Sequence, residues 1–136
     1  MGVITSDELL RIPKLRVAIK RKMLRIELYE TNATGGAIEY KERVQSSVNN
    51  SACDCLDYAI DLQVEVENDF NELVGLLDKA KALMDSQTDS IKRDIIYARY
   101  IQGLEWIDVV EALHWSRPWI FKKHKEILKS LKSRLE

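Results

Sequence analysis

The sequence predicts an all-α protein, and three observations carry this prediction. The only two prolines are Pro13 and Pro118, so no proline interrupts a helix between them. Apolar residues recur at the three- and four-residue spacings that are typical of amphipathic helices. The chain has 136 residues, of which 46% are hydrophobic and 32% are charged. That length and composition indicate a folded chain of about one domain and exclude disorder throughout.

The first amphipathic helix is predicted from Pro13 to about Glu30. Before it, Thr5 and Glu8 have the spacing of a capping box, which predicts a short helical turn. Proline suits the first turn of a helix, where its missing amide hydrogen costs nothing. The apolar stripe of this helix is Leu15, Ile19, Met23, Ile26 and Tyr29.

A second, longer helix follows a linker that is predicted at about residues 31–52, where glycine, serine and asparagine are frequent. Its apolar stripe follows a heptad pattern and is predicted to consist of Leu56, Ala59, Gln63, Val66, Phe70, Leu73, Leu77, Ala80 and Met84. If this stripe packs against the first helix of the same chain, the two helices form an antiparallel, coiled-coil-like hairpin, which is the arrangement that we predict. In the alternative, the stripes of two chains pair, which predicts a homodimer.

The net charge of −1 conceals a strong division of charge along the chain. The segment from Leu9 to Ile26 has basic residues and no acidic one, and the segment from Cys53 to Asp78 has acidic residues and no lysine or arginine. We expect these two segments to lie side by side, so that their charges offset each other. The segment from Ser116 onward is again mostly basic, and its charge remains for a partner.

Residues 89–136 are predicted to form a helix-turn-helix unit, distinct from the hairpin region at residues 1–88. Three short helices are expected over residues 91–102, 105–113 and 117 to about 131. Local signals set their ends: Thr88 or Asp89 caps the first helix, Gly103 ends it in a left-handed conformation, and Ser116 caps the third helix with Pro118 in its opening turn.

The last of these helices has two different faces. Apolar and imidazole side chains fall on one side, namely Ile120, His124, Ile127 and Leu131, and the other side contains Pro118, Lys122, Lys125 and Lys129. A helix that packs on one side and is cationic on the other fits the major groove of double-stranded DNA, where lysine neutralises phosphates or meets guanine.

The candidate DNA-binding residues share a position at or after the start of this helix. We expect contacts to bases or adjacent phosphates from Arg117, Phe121, Lys122 and Lys125. We expect Lys123 and Lys129 to bind the phosphate backbone of the DNA. The full candidate set is Ser116, Arg117, Phe121, Lys122, Lys123, Lys125 and Lys129.

Part of the sequence resembles a known family. The residues that carry the resemblance are the run from Arg99 to Trp106, the run from Val109 to Leu113, and Ser116 followed by Ile120, His124 and Leu128. With them, the C-terminal part of the chain resembles phage late transcriptional regulators of the ArpU and RinA type, which are similar to region 4 of sigma factors. The resemblance implies sequence-specific binding of duplex DNA by the helix after Ser116 and activation of phage or prophage late genes. At the turn position where helix-turn-helix proteins usually have glycine, this chain has His114, which tolerates positive φ.

The sequence is also compatible with two other functions. A helical adaptor for a protein such as RNA polymerase and a small DNA-packaging subunit of a phage terminase are the alternatives. An enzyme is not expected, because no nucleophile–base set or phosphate-binding glycine loop is present. His114, His124, Cys53 and Cys55 lack the spacing of a zinc site, so no metal or other cofactor is expected. Trp106 and Trp115 are predicted to fill the helical core, and Trp119 is left undecided.

The expected location is the cytoplasm of a bacterial host cell. No apolar run approaches the length that a bilayer crossing needs, and the segment from Met1 to Leu10 has acidic residues where an export signal would be basic. No contact with membranes is therefore expected. Cys53 and Cys55 are expected to remain thiols in a reducing compartment.

Overall fold

A computed structural model describes residues 3–34 and 45–135, with side chains over residues 3–31 and 54–132. All regular structure in these residues is helical, which confirms the all-α class. The elements are α1 (Ser6–Thr34), α2 (Gln45–Ser86), α3 (Ser90–Ile96), a π-helical segment (Tyr97–Ile101), α4 (Trp106–Leu113) and α5 (Arg117–Leu135).

The chain divides into two compact units. The first unit consists of residues 1–16 and 72–136, and the second consists of residues 17–71. This division differs from the boundary at residue 88 that the sequence suggested. Helix also extends into both ends of the predicted linker, since α1 reaches Thr34 and α2 begins at Gln45. The rest of that linker, residues 35–44, lies outside the described residues.

The start of α1 was predicted in part. The capping box is confirmed: the Thr5 amide donates to Glu8 Oε1 at 3.0 Å, and the Glu8 amide donates to Thr5 Oγ1 at 3.1 Å. The helix does not restart at Pro13, however, because α1 begins at Ser6 and continues through that proline. Pro13 removes one hydrogen bond of the helix, and the complete burial of Leu9 and Ile12 in the turn before it offsets the loss.

The core of the first unit draws on every helix. Its buried apolar residues are Ile4, Leu9, Ile12, Leu15, Leu73, Leu76, Ala80, Leu83, Ile95, Ile96, Ala98, Tyr100, Val109, Ile120, Ile127 and Leu131. Within this unit α3 packs against the π-helical segment, α4 and α5. The C-terminal helices therefore share one core with the start of α1 and the end of α2.

The apolar stripe of α2 was half right. Ala59, Leu73 and Ala80 are buried as predicted, but Leu56 and Phe70 are 43% and 55% exposed. Val66, Leu77 and Met84 are half-buried, which also agrees with the prediction. In the first half of the helix, however, the alternate inward position lies one residue earlier than predicted, at Cys55, Leu62 and Asp69, and in the second half Leu76 and Leu83 are buried beside Leu77 and Met84. The prediction placed Phe70 at the inward position because phenylalanine is the more hydrophobic residue. In the structure the carboxylate of Asp69 lies inward instead.

That carboxylate has a partner in the second unit. Asp69 Oδ2 accepts a hydrogen bond from Lys22 Nζ at 2.7 Å, and Glu65 lies 3.7 Å from the same ammonium group. The hydrogen bond with Asp69 raises the pKa of Lys22 above its ordinary value. Lys22 consequently occupies the inward position on α1 that was predicted for Met23, and Met23 is 56% exposed.

Basic residues of α1 thus pair with acidic residues of α2, as the division of charge suggested. In the first unit, Arg11 of α1 pairs with Glu72 of α2 in the same sense. A further pair has the opposite sense, since Lys79 Nζ of α2 lies 2.9 Å from Glu8 Oε2 of α1. Partly exposed ion pairs of this kind contribute only about 0–1 kcal/mol each. They specify which helices are neighbours more than they stabilise the fold.

Candidate nucleic-acid interface

The turn between α4 and α5 adopts the left-handed conformation that the sequence predicted. His114 has φ 58° and ψ 27°, and its amide donates to the Val110 carbonyl at 3.2 Å. It is the only residue other than glycine with positive φ among those described. This conformation reverses the chain after α4 and allows α5 to begin three residues later.

The start of α5 is capped at Ser116. The Ile120 amide donates to the Ser116 carbonyl at 3.0 Å, and the Trp119 amide lies 3.4 Å from Ser116 Oγ. Pro118 stands in the opening turn, where helices tolerate proline. Both local signals for the start of this helix are therefore confirmed.

One face of α5 is buried in the first unit, as predicted. Ile120 is fully buried, Ile127 and Leu131 are 2% and 1% exposed, and His124 is 9% exposed. These positions are separated by three or four residues and lie on one side of the helix. The orientation of α5 about its own axis is thereby fixed.

His124 is buried as a neutral base. Its Nε2 lies 2.5 Å from Tyr100 Oη. Burial, together with the positive charge of Arg99, lowers the pKa of His124 to about 4, and burial raises the pKa of Tyr100 to about 12. Both groups are uncharged at neutral pH, so this hydrogen bond joins α5 to the π-helical segment without a buried charge.

Aromatic rings continue this contact toward α4. The ring of Trp106 lies 4.5 Å from His124 and 5.0 Å from Phe121, measured between centroids. The Arg99 guanidinium lies 4.9 Å from the centroid of Trp106. Trp106 thus contributes to the packing between α4 and α5, as expected. Phe121 is half-buried in the same cluster, which reduces the surface that it offers to a base.

The opposite side of α5 is cationic and exposed. Arg117, Lys122, Lys125 and Lys129 are all exposed. Arg117 extends over the ring of Phe121 at 5.3 Å. The predicted separation of an apolar face from a lysine face is therefore present on this helix.

Lys123 differs from the other candidate cations. Its Nζ lies 3.0 Å from Asp89 Oδ2, and its side chain is only 17% exposed. The pairing lowers the pKa of Asp89 and raises that of Lys123. Asp89 also caps α3 by accepting from the Ile91 amide at 2.9 Å. Lys123 therefore joins α5 to the start of α3, and its charge is already balanced within the chain.

Two tryptophans lie beside the cationic face. Trp115 was predicted to be buried, but it is 48% exposed. The prediction extended helix periodicity into the turn between α4 and α5, where it does not apply. The ring of Trp115 lies 6.5 Å from that of Trp119, and Lys122 Nζ lies 5.4 Å from the Trp119 ring. Sequence reasoning therefore missed Trp115 as a surface residue.

The described residues include no cluster of histidine, cysteine and carboxylate side chains that would hold a metal ion. His124 is engaged with Tyr100, His114 is exposed at its turn, and Cys55 is a half-buried thiol. The side chain of Cys53 lies outside the described residues. No helix within the described ranges has both the length and the apolar character that a bilayer crossing requires.

Comparisons of this chain with protein families, with curated proteins and with solved structures found no match.

Proposed function

We propose that this protein is a phage- or prophage-derived transcriptional regulator that binds double-stranded DNA through a C-terminal helix-turn-helix. In this proposal α4 and α5 are the two helices of the motif, and α5 enters the major groove. The expected setting is the cytoplasm of a bacterial host, and the expected role is activation of late genes.

The observation that carries the proposal is the two-sided character of α5. Its buried side is fixed by Ile120, His124 and Ile127, while Lys122 and Lys125 face solvent. A helix held in this way presents its cations without having to reorganise on binding. Phosphate contacts by such lysines supply most of the affinity of DNA-binding proteins, since each contact releases counterions.

Further support comes from the turn before α5. His114 supplies the left-handed residue, and the capped start of α5 places Arg117 in the first turn of the proposed recognition helix. In helix-turn-helix proteins, residues near the start of the second helix reach base edges. Arg117 is accordingly the proposed base reader, with Lys122 and Lys125 at bases or phosphates and Lys129 on the backbone.

We also propose that α1 and α2 form the predicted antiparallel hairpin. In the second unit, Lys22 contacts Asp69, and Glu30 accepts a hydrogen bond from Gln63 at 3.2 Å. Residue numbers thus fall along α2 as they rise along α1, which is the pattern expected for antiparallel helices.

A salt-dependent DNA titration tests the proposed function. The binding constant for a fluorescent duplex is measured by anisotropy at several salt concentrations, for the wild type and for the double variant Lys122→Ala, Lys125→Ala. The wild type is expected to bind with an affinity that falls steeply with salt. The double variant should reduce the slope of log K against log salt by about 0.9 for each phosphate contact that is lost.

The matched control is the double variant Lys14→Ala, Lys81→Ala, which removes the same charge from exposed positions on α1 and α2. It should retain the slope of the wild type. The proposal is contradicted if the wild type does not bind duplex DNA, or if the two double variants lose affinity equally.

Exposed apolar residues on α4 and in the turn after it favour a second candidate function, a helical adaptor that binds a protein such as RNA polymerase. Ile107 of α4 is 72% exposed, and Trp115 is exposed in the next turn. Tryptophan is enriched at the centres of protein interfaces. An adaptor would show no salt-dependent duplex binding, and the variant Trp115→Ala would weaken binding of RNA polymerase.

A further inference from the structure

Two arginines of the first unit contact the backbone where the π-helical segment ends and the loop before α4 begins. Arg16 Nη2 donates to the Ile101 carbonyl at 2.7 Å, and Arg99 Nη1 donates to the Leu104 carbonyl at 2.8 Å. The guanidinium of Arg16 lies against Gly103, where a Cβ atom would stand 2.5 Å from its Nη1. Two like charges are thus gathered at the loop that precedes α4.

Carboxylates do not balance these charges. No carboxylate of the described residues lies within 4.0 Å of Arg16, and Arg99 has only Glu105, at 4.0 Å and with a side chain that is 79% exposed. Burial and the positive charge of Arg99 both lower the pKa of Arg16. Like charges at partly buried positions are stable only where something offsets their repulsion.

The same two guanidiniums carry unsatisfied donors. Arg16 Nη1 and Arg99 Nε are buried and have no hydrogen-bond partner among the described residues. Buried donors in folded proteins are nearly always paired, if necessary with a bound ion or water. Two donors of this kind on cations that repel each other can be satisfied together by an acceptor of negative charge.

We propose that Arg16 and Arg99 form a binding site for a phosphate group. A guanidinium presents a planar fork of donors that matches the oxygens of phosphate, and a phosphate group offers enough acceptors for both arginines. The group is either free inorganic phosphate or a phosphate of the DNA backbone. The second source rests on the proposed function, whereas the first does not.

The site is connected to the proposed recognition helix. Arg99 lies over the ring of Trp106, and Trp106 packs against Phe121 and His124 of α5. An anion that fixes Arg99 would also fix the surface on which α5 packs. Phosphate binding is therefore expected to stabilise the first unit as a whole.

The first test uses inorganic phosphate alone. Thermal unfolding of the full chain is followed as phosphate is added, with sodium chloride at equal ionic strength as the reference. Phosphate also stabilises proteins generally by exclusion from their surface. The rise in Tm of the wild type should therefore exceed the rise that phosphate causes in a variant without the site, because a ligand of the native state adds to its stability. Arg16→Lys, which keeps the charge but loses the fork, should remove this additional rise, and Arg21→Lys at an exposed position of α1 should keep it.

The second test uses the duplex titration. If the ligand is a backbone phosphate, Arg16→Lys lowers duplex affinity and Arg21→Lys leaves it unchanged. If the wild type responds to phosphate but binds no duplex, free phosphate is the ligand and the proposed function fails by itself. Two results would overturn the two-arginine site. In the first, the wild type shows no response specific to phosphate and Arg16→Lys leaves duplex affinity unchanged. In the second, Arg16→Lys and Arg21→Lys behave alike in both tests.

Discussion

At the residue scale, His124 links the stability of the protein to the placement of its cationic helix. The side chain occupies a core position between Ile120 and Ile127, where an aliphatic residue would pack as well. Its hydrogen bond to Tyr100 and its contact with Trp106 instead specify one orientation of α5. The sequence predicted that His124 is buried, from its spacing alone. It gave no sign of the Tyr100 partner, since the two residues lie on different elements.

The buried imidazole predicts a loss of stability in mild acid. The pKa of His124 is about 4 in the folded protein and about 6.5 in the unfolded chain, so the unfolded chain binds more protons between these values. The free energy of unfolding is therefore highest above pH 6.5 and falls as the pH decreases toward 4. The expected loss from this residue is about 2 kcal/mol by pH 5, measured by urea denaturation.

Two variants assign this loss to one histidine. His124→Gln should flatten the dependence between pH 6.5 and 5, because no imidazole remains to be protonated in the core. His114→Asn removes the exposed histidine with a residue that also tolerates positive φ, and it should keep the dependence of the wild type. Equal dependence in all three proteins would show that His124 is not the titrating group.

At the element scale, the ends of the helices were predicted better than their faces. Glycine at position 103, histidine at 114, and serine and proline at 116 and 118 act on the backbone next to them, so each boundary is encoded locally. The inward face of α2 depends on what lies opposite, and the pairing of Asp69 with Lys22 overrode the more hydrophobic neighbour Phe70.

The helix predicted over residues 91–102 shows another limit of sequence reasoning. It is α3 followed by a π-helical segment, in which the Gln102 amide donates to the Tyr97 carbonyl at 2.8 Å. Apolar spacing does not distinguish this bonding from that of an α-helix over so short a stretch. The π-helical segment contains Tyr100, which contacts His124 of α5, and Arg99, which lies over the ring of Trp106.

Two glycines predict stability changes of opposite sign. Gly103 has φ 80° and lies against Arg16, so Gly103→Ala should lower the free energy of unfolding by about 1–2 kcal/mol from backbone strain, in addition to displacing that arginine. Gly75 lies inside α2 with no atom near a new Cβ, so Gly75→Ala should raise the free energy by about 1 kcal/mol. Chemical denaturation of both variants checks the pair, and effects of the same sign would contradict this account of Gly103.

At the scale of the whole molecule, the division of charge matters more than its sum. A chain with net charge −1 has no overall attraction to DNA. Ion pairs between α1 and α2 occupy part of the basic and acidic residues, and Asp89 occupies Lys123. Lys122 and Lys125 of α5 are exposed, and the first turn of this helix contains no acidic residue. The sequence predicted this division, but it did not predict the pairing of Lys123 with Asp89, because the two residues are far apart in sequence and meet only through the packing of α5 on α3.

The central claim is that the exposed lysines of α5 contact duplex DNA. Lysine acetylation followed by mass spectrometry tests it most directly, with the protein labelled alone and in complex with a mixed-sequence duplex at low salt. We expect Lys122 and Lys125 to be labelled readily in the free protein and to be protected by DNA, Lys123 to be labelled slowly in both states, and Lys14 and Lys81 to be labelled equally in both. Labelling of Lys122 and Lys125 that does not change when DNA is bound would contradict the account.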